Sequence, residues 1–166
     1  MTAVQLSVSD SHDVLDVVEQ VVTEHEWMYE RRGGDELAVQ ITGRWCDYHL
    51  FFTWNAGAQA VHFSCGFDLR VPQEKRLAVH DLLAQVNDKL WMGHFALWHD
   101  DGVPLFRHTV LLRGLASASA EQIEDLVETA LTECDRFYPA FQFVIWAGKP
   151  ADEAMAAAMV DPVGEA

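Results

Sequence analysis

The stretch from Leu82 to Leu112 constrains the chain most. Leu82, Leu83, Val86, Leu90 and Trp91 recur every three or four residues, the spacing of a helix with one buried stripe. Gly93 then predicts the helix stop, since glycine takes the left-handed C′ conformation without steric penalty. Phe95 and Leu97 alternate with His94, Ala96 and Trp98, which is strand spacing. Asp100, Asp101 and Gly102 follow as a reversal signal, because Asp-Gly tolerates the positive φ of a short hairpin turn. A two-residue turn at Asp101 and Gly102 would set Phe95 opposite His108 and His99 opposite Pro104. A helix leading into an antiparallel hairpin is the expectation.

The rest of the chain extends this pattern on both sides. Ser9, Asp10 and Ser11 supply cap candidates for a helix with Val14, Leu15, Val18, Val21 and Val22 on one face, ending by His25 to Trp27. A short strand at Met28 to Arg32, a Gly-Gly-Asp turn and a strand at Glu36 to Thr42 come next. Trp45 to Trp54 and Ala60 to Leu69 read as two further strands joined by a turn at Asn55 to Gly57. Pro72 opens the helix that leads into the central run, with Leu77 and Val79 added to its buried side. Ser119 caps a long final helix whose apolar positions run from Ile123 to Phe141 and which Pro139 should kink. The predicted fold is α+β, an antiparallel twisted sheet packed against helices in the order α-β-β-β-(β)-α-β-β-α. Residues 1–148 form one domain in this reading, and 149–166 a tail that is loosely helical or disordered.

Composition excludes several partners. A formal net charge of -15, with Arg31-Arg32 and Lys75-Arg76 the only adjacent basic pairs, argues against nucleic acid and anionic membrane surfaces. No apolar run approaches the ~20 residues that cross a bilayer. Cys46, Cys65 and Cys134 are odd in number and widely spaced, which suits reduced thiols in the cytoplasm rather than a disulfide framework.

No catalytic constellation assembles, and no cofactor is implied. The hairpin register puts His99 and His108 on one face and His94 on the other, so three imidazoles do not converge on a metal. His49 and His62 lie on neighbouring strands and could approach each other, which leaves a small-ligand or metal sensor as the second reading. The three cysteines read as core residues, and the carboxylates sit in turns or on solvated helix faces, where nothing raises a pKa for acid–base work. Trp45, Trp54, Trp98, Leu105 and Phe106 exceed what one face of a sheet needs if the other is wet. Such a sheet is either covered by helices on both faces or used in association.

The element order, together with Asn87, Leu90, Gly93 and Phe95 ahead of a hairpin, resembles the YbjN family of bacterial sensory-transduction regulators. The likeness spans residues 14–146. It implies an α+β fold similar to type III secretion chaperones, a homodimer, and a non-enzymatic protein that binds a protein partner in signalling or stress regulation. Asn87, Leu90, Gly93 and Phe95 carry over as structural positions, with the Asn87 amide placed to satisfy carbonyls freed at the helix end. Contacts to a partner or second copy are expected from Trp98, Leu105, Phe106, Phe137, Tyr138, Phe141 and Trp146.

Overall fold

The computed structural model describes residues 10–160, with side chains from residue 14 onward. Six strands form one antiparallel sheet: β1 (Met28–Arg32), β2 (Glu36–Thr42), β3 (Asp47–Asn55), β4 (Ala60–Gly66), β5 (His94–Leu97) and β6 (Pro104–Leu111). Their spatial order is β1-β2-β3-β4-β6-β5, so the closing hairpin docks through its second strand. Helices α1 (Asp10–Glu24), α2 (Arg76–Asp88), α3 (Ala120–Ile145) and α4 (Ala151–Ala158) complete the domain. Of the expected α1 caps, Ser9 lies outside the described residues.

Alternation along the strands assigns the two faces. Leu37, Val39 and Ile41 of β2 register with Phe52, Leu50 and Tyr48 of β3, and the row continues through Phe63 and Cys65 to Phe106 and Phe95. All of these are buried in one core with the apolar stripes of the four helices. Among the described residues, the opposite face carries no helix. At the β1 end, Tyr29 and Arg31 also point to the helices, where they bond to Glu19 and, for Arg31, to Asp16.

An aromatic cluster forms the centre of the core. Phe67 meets Tyr138 and Phe141 edge-on at 5.0 and 5.1 Å, and Phe95 meets Phe106 and Phe137 at 5.7 and 6.0 Å. Offset and edge-to-face rings of this kind add to the gain from burial alone.

Three local expectations need correction. The hairpin loop is longer than two residues: Trp98 and Val103 close it, Leu97 pairs with Pro104, and Phe95 pairs with Phe106. The register therefore moves by two residues, an even slip that leaves every side chain on its expected face. His99 sits in this loop and not on a strand. Helix α2 ends at Asp88, so Gly93 is not its C′ residue. Gly93 is required for another reason: its φ is +67°, and a Cβ there would lie 2.8 Å from the Arg107 carbonyl oxygen and clash with the edge of the Phe106 ring. Leu77, expected on the buried side of α2, is 83% exposed. Beyond residue 148, helix α4 buries Ala151, Ala154 and Met155 against the rest of the domain.

Helix α3 continues through Pro139, capped at its start by a reciprocal box between Ser119 and Gln122. Among the described residues no helix is long and apolar enough to cross a membrane.

Candidate functional site

The helix-free face of the sheet is concave. A groove of about 850 Å³ crosses it, over β3, β4, β6 and β5. Its floor is built by the residues that alternate with the core row: His49, Phe51 and Thr53 from β3, His62 and Ser64 from β4, Leu105, Arg107 and Thr109 from β6, and His94 from β5. Trp98 and Val103 of the hairpin loop wall one end, with Asp68, Leu69 and Arg70 from the segment that follows β4. The volume lies within the range of small-molecule and cofactor pockets, roughly 300–1,000 Å³.

Several floor side chains are held in place. Asn55 accepts the Ala58 N–H through Oδ1 and donates from Nδ2 to His62 Nε2 at 3.3 Å. That leaves the His62 ring proton on Nδ1, which donates to Thr109 Oγ1 at 2.9 Å. His49 registers with Gly66, while His62 registers with Thr53. The two imidazoles thus stand four residues apart along the strands and do not approach each other. Among the described residues no three His, Cys, Asp or Glu side chains gather closely enough to hold a metal. His108 is on the core-side row with Phe63, and its pKa is pushed below the usual histidine range by burial and by nearby His94.

The expected contact residues divide sharply. Trp98 is half-exposed and walls the groove, and Leu105 lies in its floor, mostly covered. Trp146 is exposed at the end of α3, in the helix layer. Phe106, Phe137, Tyr138 and Phe141 are buried core residues. Their aromatic periodicity arises from packing against Phe67 and Phe95, so no partner reaches them in this conformation. Sequence reasoning missed Phe51, Arg70 and Arg107 as groove residues; the outward parity of Phe51 was the one available signal.

The carried-over family positions are structural, with one change of partner. Asn87 does not serve the end of its own helix. Its Oδ1 accepts the Phe95 N–H at 2.7 Å and its Nδ2 donates to the Phe95 carbonyl at 3.0 Å, so the side chain pairs with β5 as a neighbouring strand would. Leu90 packs at the margin of the core and Phe95 in its centre.

The thiols are free. Cys65 and Cys134 are buried with their sulfurs 3.8 Å apart, and burial pushes the Cys134 thiol well up. A buried, protonated thiol is a poor nucleophile.

Comparison with known proteins agrees with this architecture. A solved structure described as "Crystal structure of YbjN, a putative transcription regulator from E. coli" superposes with a TM-score of 0.51. That match has 11% identity and covers 73% of this chain and 85% of the other, so it speaks for the fold. No curated protein matches the chain significantly. Residues 15–143 match the YbjN family, described as "Putative bacterial sensory transduction regulator". The chain belongs to the YbjN family.

Proposed function

We propose that this protein is a non-enzymatic regulator that acts by binding a protein partner in the open groove of its sheet. The observation that carries this reading is the helix-free sheet face, where Phe51, Trp98 and Leu105 are among the residues lining a groove of about 850 Å³. An open groove that combines aromatic side chains with polar groups suits recognition of another chain. The family description, a regulator of sensory transduction, supports the same class of activity. We further propose a homodimer working in the cytoplasm. Free thiols at Cys46, Cys65 and Cys134 support a reducing compartment, and the strong acidity speaks against nucleic acid or anionic membrane as the partner.

The test is capture from the native host with a photo-crosslinking residue at position 98 or at position 146. Crosslinking to a defined protein from 98 but not from 146, lost in Phe51→Asp with fold intact, supports the groove. Crosslinking from 146 alone, or capture indifferent to Phe51→Asp, overturns it. The mass in solution tests the homodimer. A small-ligand sensor is the second reading, favoured by the volume of the groove; native mass spectrometry showing a retained small molecule would favour it.

A further inference from the structure

The outer edges of the sheet are treated differently along the chain. In an antiparallel ladder, alternate residues turn their main-chain N–H and C=O groups to opposite neighbours. The Gly43 N–H bonds to the Cys46 carbonyl, so odd residues of β2 face β3 and even ones face β1. Tyr29 and Arg31, paired with odd residues of β2, therefore turn their groups outward. That edge is blunted by charge, with Glu30, Arg31 and Arg32 all in β1. At the other edge, Asn87 occupies both the N–H and the C=O of Phe95 on β5.

The end of β6 has neither protection. β5 pairs with β6 only from Pro104 to Arg107, whereas β6 runs on to Leu111. The Phe67 N–H bonds to the Pro104 carbonyl and the Leu112 N–H to the Gln59 carbonyl, so even residues of β6 face β4 and odd ones face away from it. Leu105 and Arg107 meet β5 on that side. Thr109 and Leu111 meet no strand there, and among the described residues no loop main chain bonds to either. Thr109, Val110 and Leu111 are uncharged, and the first two are β-branched, which favours strand pairing. Leu111 is 73% exposed, and Leu115 just beyond it is exposed as well.

We propose that Thr109 to Leu111 form a strand-addition site, where an extended, uncharged segment of the partner protein pairs with the outer edge of β6 in line with β5. This rests on the reading of the molecule as one that binds a protein partner, and adds how the partner's backbone is held. Thr109 belongs both to this edge and to the groove floor, so the site continues the groove. The main-chain groups of Thr109 and Leu111 supply the bonds, and Val110 and Leu111 supply apolar contact on the two faces. A second copy of the chain fits poorly. Two-fold pairing about Val110 would set the copy's Arg113 beside Arg107, where His94 already pairs. Pairing about Leu111 would set Thr109 against Arg113, which has left the strand for a turn. A segment of another protein meets neither obstacle.

The probe is a fluorescein-labelled peptide of alternating threonine and valine with a lysine at each end, compared with the same peptide N-methylated at its four central residues. Each is titrated with the full chain and followed by fluorescence anisotropy, and the bound state by amide hydrogen exchange. The unmethylated peptide is expected to bind at least tenfold more tightly, and to slow exchange of the Thr109 and Leu111 amides at least tenfold. Leu111→Pro removes one outward N–H and no bond to β4, and should lower the affinity at least tenfold. Leu111→Lys, at an exposed side chain, should lower it at least threefold and serves where the proline variant does not fold. Equal binding of the two peptides overturns the proposal, as does failure of both to bind. Protection at Tyr29 and Arg31 with none at Thr109 and Leu111 also overturns it. Protection of Thr109 and Leu111 that rises with protein concentration and no peptide assigns the edge to a second copy instead. A native partner that crosslinks at position 98 but leaves the Thr109 and Leu111 amides exchanging freely sinks this inference and leaves the groove assignment standing. Protection of those amides by a partner that avoids position 98 removes the groove assignment and keeps the edge.

Discussion

The main-chain carbonyl of Asp135 accepts the indole N–H of Trp45 at 2.9 Å. In a regular helix that carbonyl would take the N–H of residue 139, which here is Pro139 and has none. The turn between β2 and β3 supplies the missing donor. The Asp135 carboxylate adds two more bonds, from the Arg44 N–H of that turn at 3.0 Å and from the Tyr48 hydroxyl at the start of β3 at 2.7 Å. Burial and the Asp135 carboxylate together push the Tyr48 phenol far up, so it stays protonated and donates. A proline that looks like a defect in α3 is thus the point where the sheet's hairpin is tied to the helix.

Trp45→Phe should cost about 1 kcal/mol, the typical net value of one hydrogen bond with its carbonyl left partly reachable by water. The same substitution in a Pro139→Ala background should cost less, because the introduced alanine restores a backbone N–H that satisfies the Asp135 carbonyl. Urea denaturation of the four proteins in a double-mutant cycle measures this coupling. Strict additivity would show that the indole is not replacing the helical donor.

Asn87→Ala should be more damaging. Both polar groups of the Phe95 backbone lose their partner at a part-buried site, and β5 has only four residues through which to hold its place. A loss of about 2–3 kcal/mol follows from two unsatisfied groups. Hydrogen exchange of the Phe95 amide should rise before that of the central strands. Asn87→Asp keeps the acceptor for the Phe95 N–H and loses the donor to its carbonyl, so it should fall between the two.

These two sites mark the limit of what could be read from the chain. The core row at Leu37, Val39 and Ile41, and at Tyr48, Leu50 and Phe52, was legible because a period of two survives any even error of register. The hairpin pairing around His108 was such an error, and the faces came out right. The partner of the Asn87 amide was not legible, since it depends on how β5 folds back on α2. Nor could aromatic spacing separate Trp98, which lines the groove, from Phe137 and Phe141, which lie in the core. Both patterns are equally apolar, and only the helices' placement on one face of the sheet decides between them.

Glu133 gives a prediction in pH. It is a buried carboxylate on α3 whose Oε2 has no hydrogen-bond partner, with Arg136 Nη1 3.7 Å away. Burial raises its pKa, and the arginine offsets this only in part. The folded state therefore disfavours the charged form. Stability contributed by the neutral acid is fully present below the unfolded-state value near 4.3 and is lost as pH rises through the folded value. Glu133→Gln should then stabilise the protein at pH 7 by about 1 kcal/mol. Thermal melts at pH 7 and pH 4 check this: the gain should vanish at pH 4, and a gain equal at both would point to packing instead.

The end of α1 gives the last prediction. The Trp27 N–H reaches the Val22 carbonyl at 3.0 Å and the Glu26 N–H reaches Thr23 at 3.1 Å, the paired bonds of a Schellman cap. That cap needs a left-handed residue at C′, and the position is held by Glu26 with φ at +57°. A residue with a Cβ is strained there by roughly 1 kcal/mol, and the Glu26 side chain is exposed, with nothing in the core depending on it. Glu26→Gly should therefore stabilise the fold by about 0.5–1 kcal/mol, seen as a rise of roughly 1–4 °C in Tm for a chain of this size. Glu26→Ala, which keeps the Cβ and removes the charge, should leave Tm nearly unchanged. If alanine gained as much as glycine, the carboxylate, and not the backbone, would be the source of the strain.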